Sequence, residues 1–199
     1  MNDIYKERFS ACHKINDADI KIAAEISEQI CKCKQICDIG FGNTLLAEML
    51  VKINPDICYL GIDLNTTCVS EAQKKSLGSN ISFFAGNMYE VSLPQIDCFV
   101  ASRVVHHMPP DEVGVTICNI MSHIKECGKL VIVDSIRDYS NRPQHYLYLP
   151  FYFLTQTYRY LSSYATNYTC IGDAEVGKYW VLVLEVLKGR AEYSLKFID

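Results

Sequence analysis

From residue 35 onward the apolar positions of this chain alternate between two patterns. Residues 35–39, 57–62, 81–84, 96–101 and 129–133 are near-continuous apolar runs of strand length. Between them, 43–52, 66–77 and a segment opening at Pro109-Pro110-Asp111 carry apolar residues three and four apart, the spacing of one helix face. In the last of these the face is Val113, Ile117, Ile120, Met121 and Ile124, and Gly128 is expected to stop the helix, as Gly78 is for the one before. Upstream, two helices are predicted. One covers 3–13 with Ile4, Tyr5 and Phe9; the other covers 17–33, capped at Asn16-Asp17, with a stripe of Ile22, Ile26 and Ile30.

Strands alternating with helices through short connections imply parallel β-α-β units, and strands apolar along their whole length imply helices on both faces. The expected architecture is therefore a doubly wound α/β fold, a Rossmann-like and mostly parallel sheet. After Val133 the pattern changes. Residues 143–164 are rich in tyrosine and phenylalanine, and Trp180–Leu187 is a clear strand. Lys188-Gly189-Arg190 can turn it into a last strand at 193–198, giving an antiparallel C-terminal hairpin; alternatively, 168–171 pairs with it and the last ten residues form a tail. The hairpin is preferred. The whole chain, 1–199, reads as one domain: N-terminal helices forming a lid (1–34), a ligand-binding core (35–134), and a cover with the C-terminal strands (135–199).

Composition narrows the function classes. With 199 residues there is room for one full hydrophobic core. A net charge of −4 and the lack of any Lys/Arg run remove the footprint of a nucleic-acid binder, so DNA is not an expected partner. The start of the sequence shows no basic segment followed by an apolar run, and the most apolar stretch, 146–154, is broken by Pro150. Neither secretion nor stable membrane insertion is expected, and a cytoplasmic protein with reduced thiols is the simpler reading of its ten cysteines. Cys31, Cys33 and Cys37, with Cys12-His13 upstream, do not read as a metal site, because zinc pairs favour two to four intervening residues and Cys31 and Cys33 have one. The assembly is left open by the sequence, a homodimer included.

In doubly wound sheets ligands sit beyond the carboxyl ends of the strands. The residues with chemistry fall there. After the first strand comes Asp38-Ile39-Gly40-Phe41-Gly42-Asn43-Thr44, opening a helix. Glycines allow a tight turn and a close approach of backbone to ligand. A loop cradling a pyrophosphate wants bare amides, because that ligand is anionic. S-adenosylmethionine instead presents an ammonium and a sulfonium, so the carboxylate of Asp38 suits it. After the second strand Asp63, with Leu64 beside it, can accept hydrogen bonds from both hydroxyls of a ribose. After the third, Gly86-Asn87-Met88 offers an amide to an adenine edge and a thioether to lie against the ring. After the fourth, Ser102-Arg103-Val104-Val105-His106-His107 faces the same crevice.

Together these four segments resemble the class I S-adenosylmethionine-dependent methyltransferase family, over roughly residues 35–134. The resemblance implies that the glycine loop wraps the methionine part, that the acid after strand two binds ribose, and that the residue after strand three meets adenine. Thr44 stands where a third glycine is usual, and Asn87 where aspartate is commoner. Val133-Asp134-Ser135-Ile136-Arg137 and the aromatic segment after it look like the quinone-biosynthesis C-methyltransferases in texture. An Asn/Asp-Pro-Pro-Tyr segment, the mark of amino-methylating DNA enzymes, is missing after strand four.

The function expected is methyl transfer to O, N or C of a small aromatic or apolar acceptor. Displacement at the sulfonium carbon needs the two reactants held in line, and a base where the nucleophile carries a proton. His107 and His106 are the candidate bases, weighed against a cap of the strand-helix turn and a packing contact on the cofactor loop. Arg103 serves either a substrate anion or a surface ion pair. Tyr148 and Tyr152 belong to a cover over the sheet that can also wall a pocket for a flat substrate, and Tyr5 is a candidate lid contact. Two rivals stand beside this reading: a non-catalytic adenosylmethionine-binding partner protein, and a nicotinamide-dependent oxidoreductase. A Gly-x-Gly-x-x-Gly reading puts Leu45 where the latter needs its third glycine.

Overall fold

The computed structural model describes residues 12, 14–88, 91–108, 110–135, 167–171, 179–187 and 190–198. They fall in two compact units, Met1–Ser92 and Leu93–Asp199.

The first unit opens with α1 (Asp17–Ile30), started by a capping box: Asn16 Oδ1 accepts from the Asp19 amide at 3.0 Å and Asp19 Oδ2 accepts from the Asn16 amide at 2.7 Å. Its stripe of Ile22, Ile26 and Ile30 is buried, as helical spacing predicts, and the helix lies against α2. Then come β1 (Gln35–Ile39), α2 (Leu45–Ile53), β2 (Cys58–Asp63), α3 (Thr66–Gln73) and β3 (Ile81–Ala85). The three strands pair in parallel, β1 with β2 and β2 with β3, through helical crossovers. In register, Asp38 stands opposite Gly61 and Gly61 opposite Phe83.

The second unit holds β4 (Ile96–Ser102), a single 3-10 turn at Val105–His107, α4 (Pro110–His123) and β5 (Ile124–Ser135). Strands β4 and β5 run parallel, and Ile117, Ile120 and Met121 of α4 are buried. Three further strands follow: β6 (Asn167–Ile171), β7 (Tyr179–Leu187) and β8 (Arg190–Ile198). Strand β7 lies antiparallel to β5 and to β8, and β6 pairs parallel to β8. Residues 168–171 thus form a strand, but against β8 rather than β7.

Two helix ends differ from expectation. Helix α3 stops at Gln73 rather than running to Gly78, because Ser76 already adopts a left-handed backbone at φ +48°. Helix α4 stops at His123 rather than at Gly128. The chain passes directly into β5, with an irregular register after Ile96 and with Cys127 at φ +63°. Gly128 serves a different purpose: a Cβ there would lie 2.8 Å from Ile124 Cγ1 and 3.0 Å from the Asp97 carbonyl oxygen. Among the described residues, no helix is long and apolar enough to cross a membrane. The helix expected at 3–13 and the aromatic segment 143–164 lie outside the described residues, save Cys12.

Candidate functional site

In the first unit the chemistry gathers where β1 and β2 end. Gly40 and Gly42 both adopt left-handed φ values, +67° and +57°, which only glycine takes without strain. Among the described residues, a Cβ on Gly42 would meet only the Gly40 carbonyl oxygen, at 3.9 Å. Between them Phe41 is 7% exposed and packs on Phe83 with ring centroids 5.0 Å apart. That packing passes over Gly61, where a Cβ would come within 2.7 Å of Phe83 and 2.9 Å of Phe41.

Asp63 fastens the loop from the neighbouring strand. Its Oδ2 accepts from the Gly42 amide at 2.8 Å and its Oδ1 from the Asn65 amide at 2.8 Å. The Leu64 amide bonds to the same carboxylate. Burial pushes the Asp63 carboxyl up, against the pull of these amides. The Gly40 amide donates to the Ile62 carbonyl at 2.7 Å and the Gly86 amide to the Asp63 carbonyl at 3.0 Å, so the ends of β1, β2 and β3 are tied together. The thiol of Cys12 donates to the Gly42 carbonyl at 3.0 Å, and burial raises its pKa, keeping it a donor. This places Cys12 on the glycine loop, a role its sequence neighbourhood gives no sign of.

Asp38 is 3% exposed. Its Oδ2 accepts from the hydroxyl of Tyr59 at 2.6 Å, while Oδ1 is buried with no hydrogen-bond partner among the described residues. Burial pushes its carboxyl up to about 7; the Tyr59 bond opposes this and the nearby Asp63 charge adds to it. A buried carboxylate oxygen without a donor is costly in isolation and is a ready acceptor for a cation. The donor set thus suits a ligand bearing an ammonium group and hydroxyls.

The remaining first-unit residues take their expected strand-end positions. Leu64 is 51% exposed beside Asp63. Asn87 is half-buried after β3, and Met88 is 3% exposed, packed into the protein. Thr44, in place of a third glycine, directs its hydroxyl away from the helix start: it donates to Glu48 at 2.6 Å and accepts from Lys75 at 2.6 Å.

In the second unit Ser102 ends β4, in register with Val133. Arg103 follows at φ +55°, its amide donating to the Val133 carbonyl at 2.7 Å. A non-glycine residue in this region stores about 1 kcal/mol or more of strain, a cost found most often at functional sites. His107 closes the 3-10 turn, half-buried, with its amide on the Val104 carbonyl at 3.0 Å. The side chain of His106 and all of Tyr5, Tyr148 and Tyr152 lie outside the described residues. The sequence reading did not single out Tyr59. A tyrosine within the apolar run 57–62 is the signal, since its hydroxyl needs a partner when buried.

Comparison with known proteins places these features in a family. The model of the O-methyltransferase domain matches residues 7–168. Among curated relatives, O-methyltransferase 12 of Dictyostelium discoideum is 27% identical over 110 residues, which are 54% of this chain and 30% of the relative. A carboxy-S-adenosyl-L-methionine synthase of Campylobacter jejuni is 24% identical over 103 residues, 51% of this chain and 44% of the relative. The chain therefore spans from under a third to under a half of the length of these relatives. Among solved structures, the N-methyltransferase NodS from Bradyrhizobium japonicum, in complex with S-adenosyl-L-homocysteine, superposes with a TM-score of 0.58 at 18% identity, over 70% of this chain and 75% of NodS; at that identity the likeness speaks for the fold. With the family model covering most of its length, the chain belongs to the O-methyltransferase domain family.

Proposed function

We propose that this chain binds S-adenosylmethionine at the ends of β1 and β2 and transfers its methyl group to a small aromatic or apolar acceptor. The observation that carries the reading is the buried Asp38 carboxylate, with one oxygen unpartnered among the described residues, at the start of a loop whose Gly40 and Gly42 take left-handed φ. In this reading Asp38 accepts the ligand's ammonium, and the Asp63 carboxylate accepts ribose hydroxyls. Leu64 and Met88 offer apolar contact to the adenine, and Asn87 an amide to its exocyclic amine. Bound there, the ligand supplies a methyl carbon made electrophilic by its sulfonium.

Ser102 is assigned to the methyl donor; the residues assigned to the acceptor are Arg103, Tyr5, Tyr148 and Tyr152, with His107 and His106 as candidate bases. His107 takes the proton of an acceptor hydroxyl or amine, and Arg103 holds an acidic substituent. The family match makes oxygen the first acceptor atom to test. The texture that suggested C-methylation of quinones lies mostly in residues outside those described, and the matched family gives it no support. A pyrophosphate cofactor is disfavoured by a buried carboxylate in the loop.

The test is transfer of label from methyl-labelled adenosylmethionine to a panel of phenols, catechols and aryl amines. Labelled product supports the proposal. Binding of the donor with no product from any acceptor would favour the rival reading, a non-catalytic adenosylmethionine-binding partner protein.

A further inference from the structure

We propose that Tyr59 is a positioning residue for the methyl-donor site: its hydroxyl holds Asp38 by Oδ2 and thereby keeps Oδ1 as the acceptor for the ligand's ammonium. The inference rests on the reading of the loop as that site.

The geometry follows from strand register. Tyr59 stands opposite Ile36 and Asp38 opposite Gly61 in the parallel β1–β2 pair. Side chains alternate with period two, so Tyr59 and Asp38 emerge on one face of the pair. The ring of Tyr59, 1% exposed, is held edge-on by Phe83 with centroids 6.0 Å apart, and its hydroxyl reaches Asp38 at 2.6 Å. A short bond from a donor that cannot move fixes the carboxylate plane, and with it the place of Oδ1.

The same bond acts on charge. A hydroxyl donating to a carboxylate stabilises the ionised form, against the burial that favours the neutral one. An ammonium ligand needs the ionised form. Among the described residues, the titratable groups facing Asp38 are Tyr59 and, at the end of β2, Asp63, with Cys37 its chain neighbour in β1. Burial raises the pKa of both Tyr59 and Cys37, so neither ionises near neutrality. Of this set, Asp38 and Asp63 are left to shape a binding profile in that range.

Tyr59→Phe keeps the ring and removes only the hydroxyl. The experiment is calorimetric titration with S-adenosylhomocysteine, which carries the ammonium, between pH 6 and 8.5. It is run on the wild-type chain, Tyr59→Phe, Asp38→Asn and the double variant, each checked for native circular dichroism. For the wild type, affinity is expected to rise with pH through the neutral range. Tyr59→Phe is expected to bind about tenfold more weakly at pH 7, with its rise displaced upward by about one pH unit. On the Asp38→Asn background the same change should alter affinity by less than about twofold, since the partner through which Tyr59 acts is no longer a carboxylate. An unmoved pH profile in Tyr59→Phe, or an equal loss on both backgrounds, overturns the proposal. Wild-type protein that binds nothing at any pH overturns the reading of the loop itself, and the role of Tyr59 with it.

Discussion

The amide of Gly42 donates a 2.8 Å hydrogen bond to Oδ2 of Asp63, joining the loop after β1 to the end of β2. Without it the glycine turn would be held mainly by Phe41 and the strand end. Asp63→Asn keeps the shape but leaves the side chain one acceptor atom for the two amides of Gly42 and Asn65. We expect a loss of about 1–2 kcal/mol in urea unfolding, and weaker binding of S-adenosylhomocysteine. Unchanged stability would show that the bond is not what holds the loop.

Gly61→Ala tests the aromatic support beneath that loop. The added methyl would sit 2.7 Å from Phe83 and 2.9 Å from Phe41, and both rings are buried. Overpacking of this kind costs about 1–3 kcal/mol. Adding Phe83→Leu should recover part of it by making room. A Gly61→Ala protein as stable as wild type would mean that the rings move aside freely.

Asp38 gives stability a particular dependence on pH. In the folded chain its carboxyl is pushed up to about 7 from an ordinary value of 3.8. Between those values the folded state holds a proton that the unfolded state has lost. The contribution of this group is therefore full below about pH 4 and is lost as pH rises through about 7. Its size is on the order of a few kcal/mol. Asp38→Asn removes the term, so wild type should lose stability relative to the variant between pH 4.5 and 7.5. Parallel unfolding curves across that range would contradict the burial of an ionisable group here.

The lysine bridge from the turn after α3 to α2 is expected to matter little. Lys75 reaches Glu48 at 2.7 Å, but both side chains are partly exposed. Exposed pairs contribute about 0–1 kcal/mol. Lys75→Met should shift the unfolding midpoint only slightly and leave S-adenosylhomocysteine binding intact. A large loss of binding would show that Thr44, which also bonds to Lys75, sets the loop through this contact.

How far the sequence foretold these features depends on the kind of interaction. The strands were legible because their apolar runs are bounded by polar residues: β1 spans 35–39 as predicted, and β2 to β5 overlap their expected runs. Helix ends were less so. The sequence points to Gly78 and Gly128 as stops, yet it is Ser76 and Cys127, residues with no intrinsic preference for it, that take the left-handed conformation near these ends. At the site, Asp38, Gly40, Gly42 and Asp63 were legible as a spacing, and the structure joins the ends of β1 and β2 through them. What the spacing could not give was contact across strands. Tyr59 meets Asp38, Phe41 meets Phe83 over Gly61, and Cys12 meets Gly42, all set by register and packing rather than by neighbours in sequence.

The most direct measurement is a calorimetric titration of the wild-type chain and of Asp38→Asn with S-adenosylhomocysteine at pH 8. One ligand per chain should bind to the wild type, and Asp38→Asn should lose about tenfold or more in affinity, as removal of a charged hydrogen-bond partner implies. A folded wild-type chain that does not bind, or an Asp38→Asn variant that binds equally well, would contradict the assignment of this loop to the methyl donor.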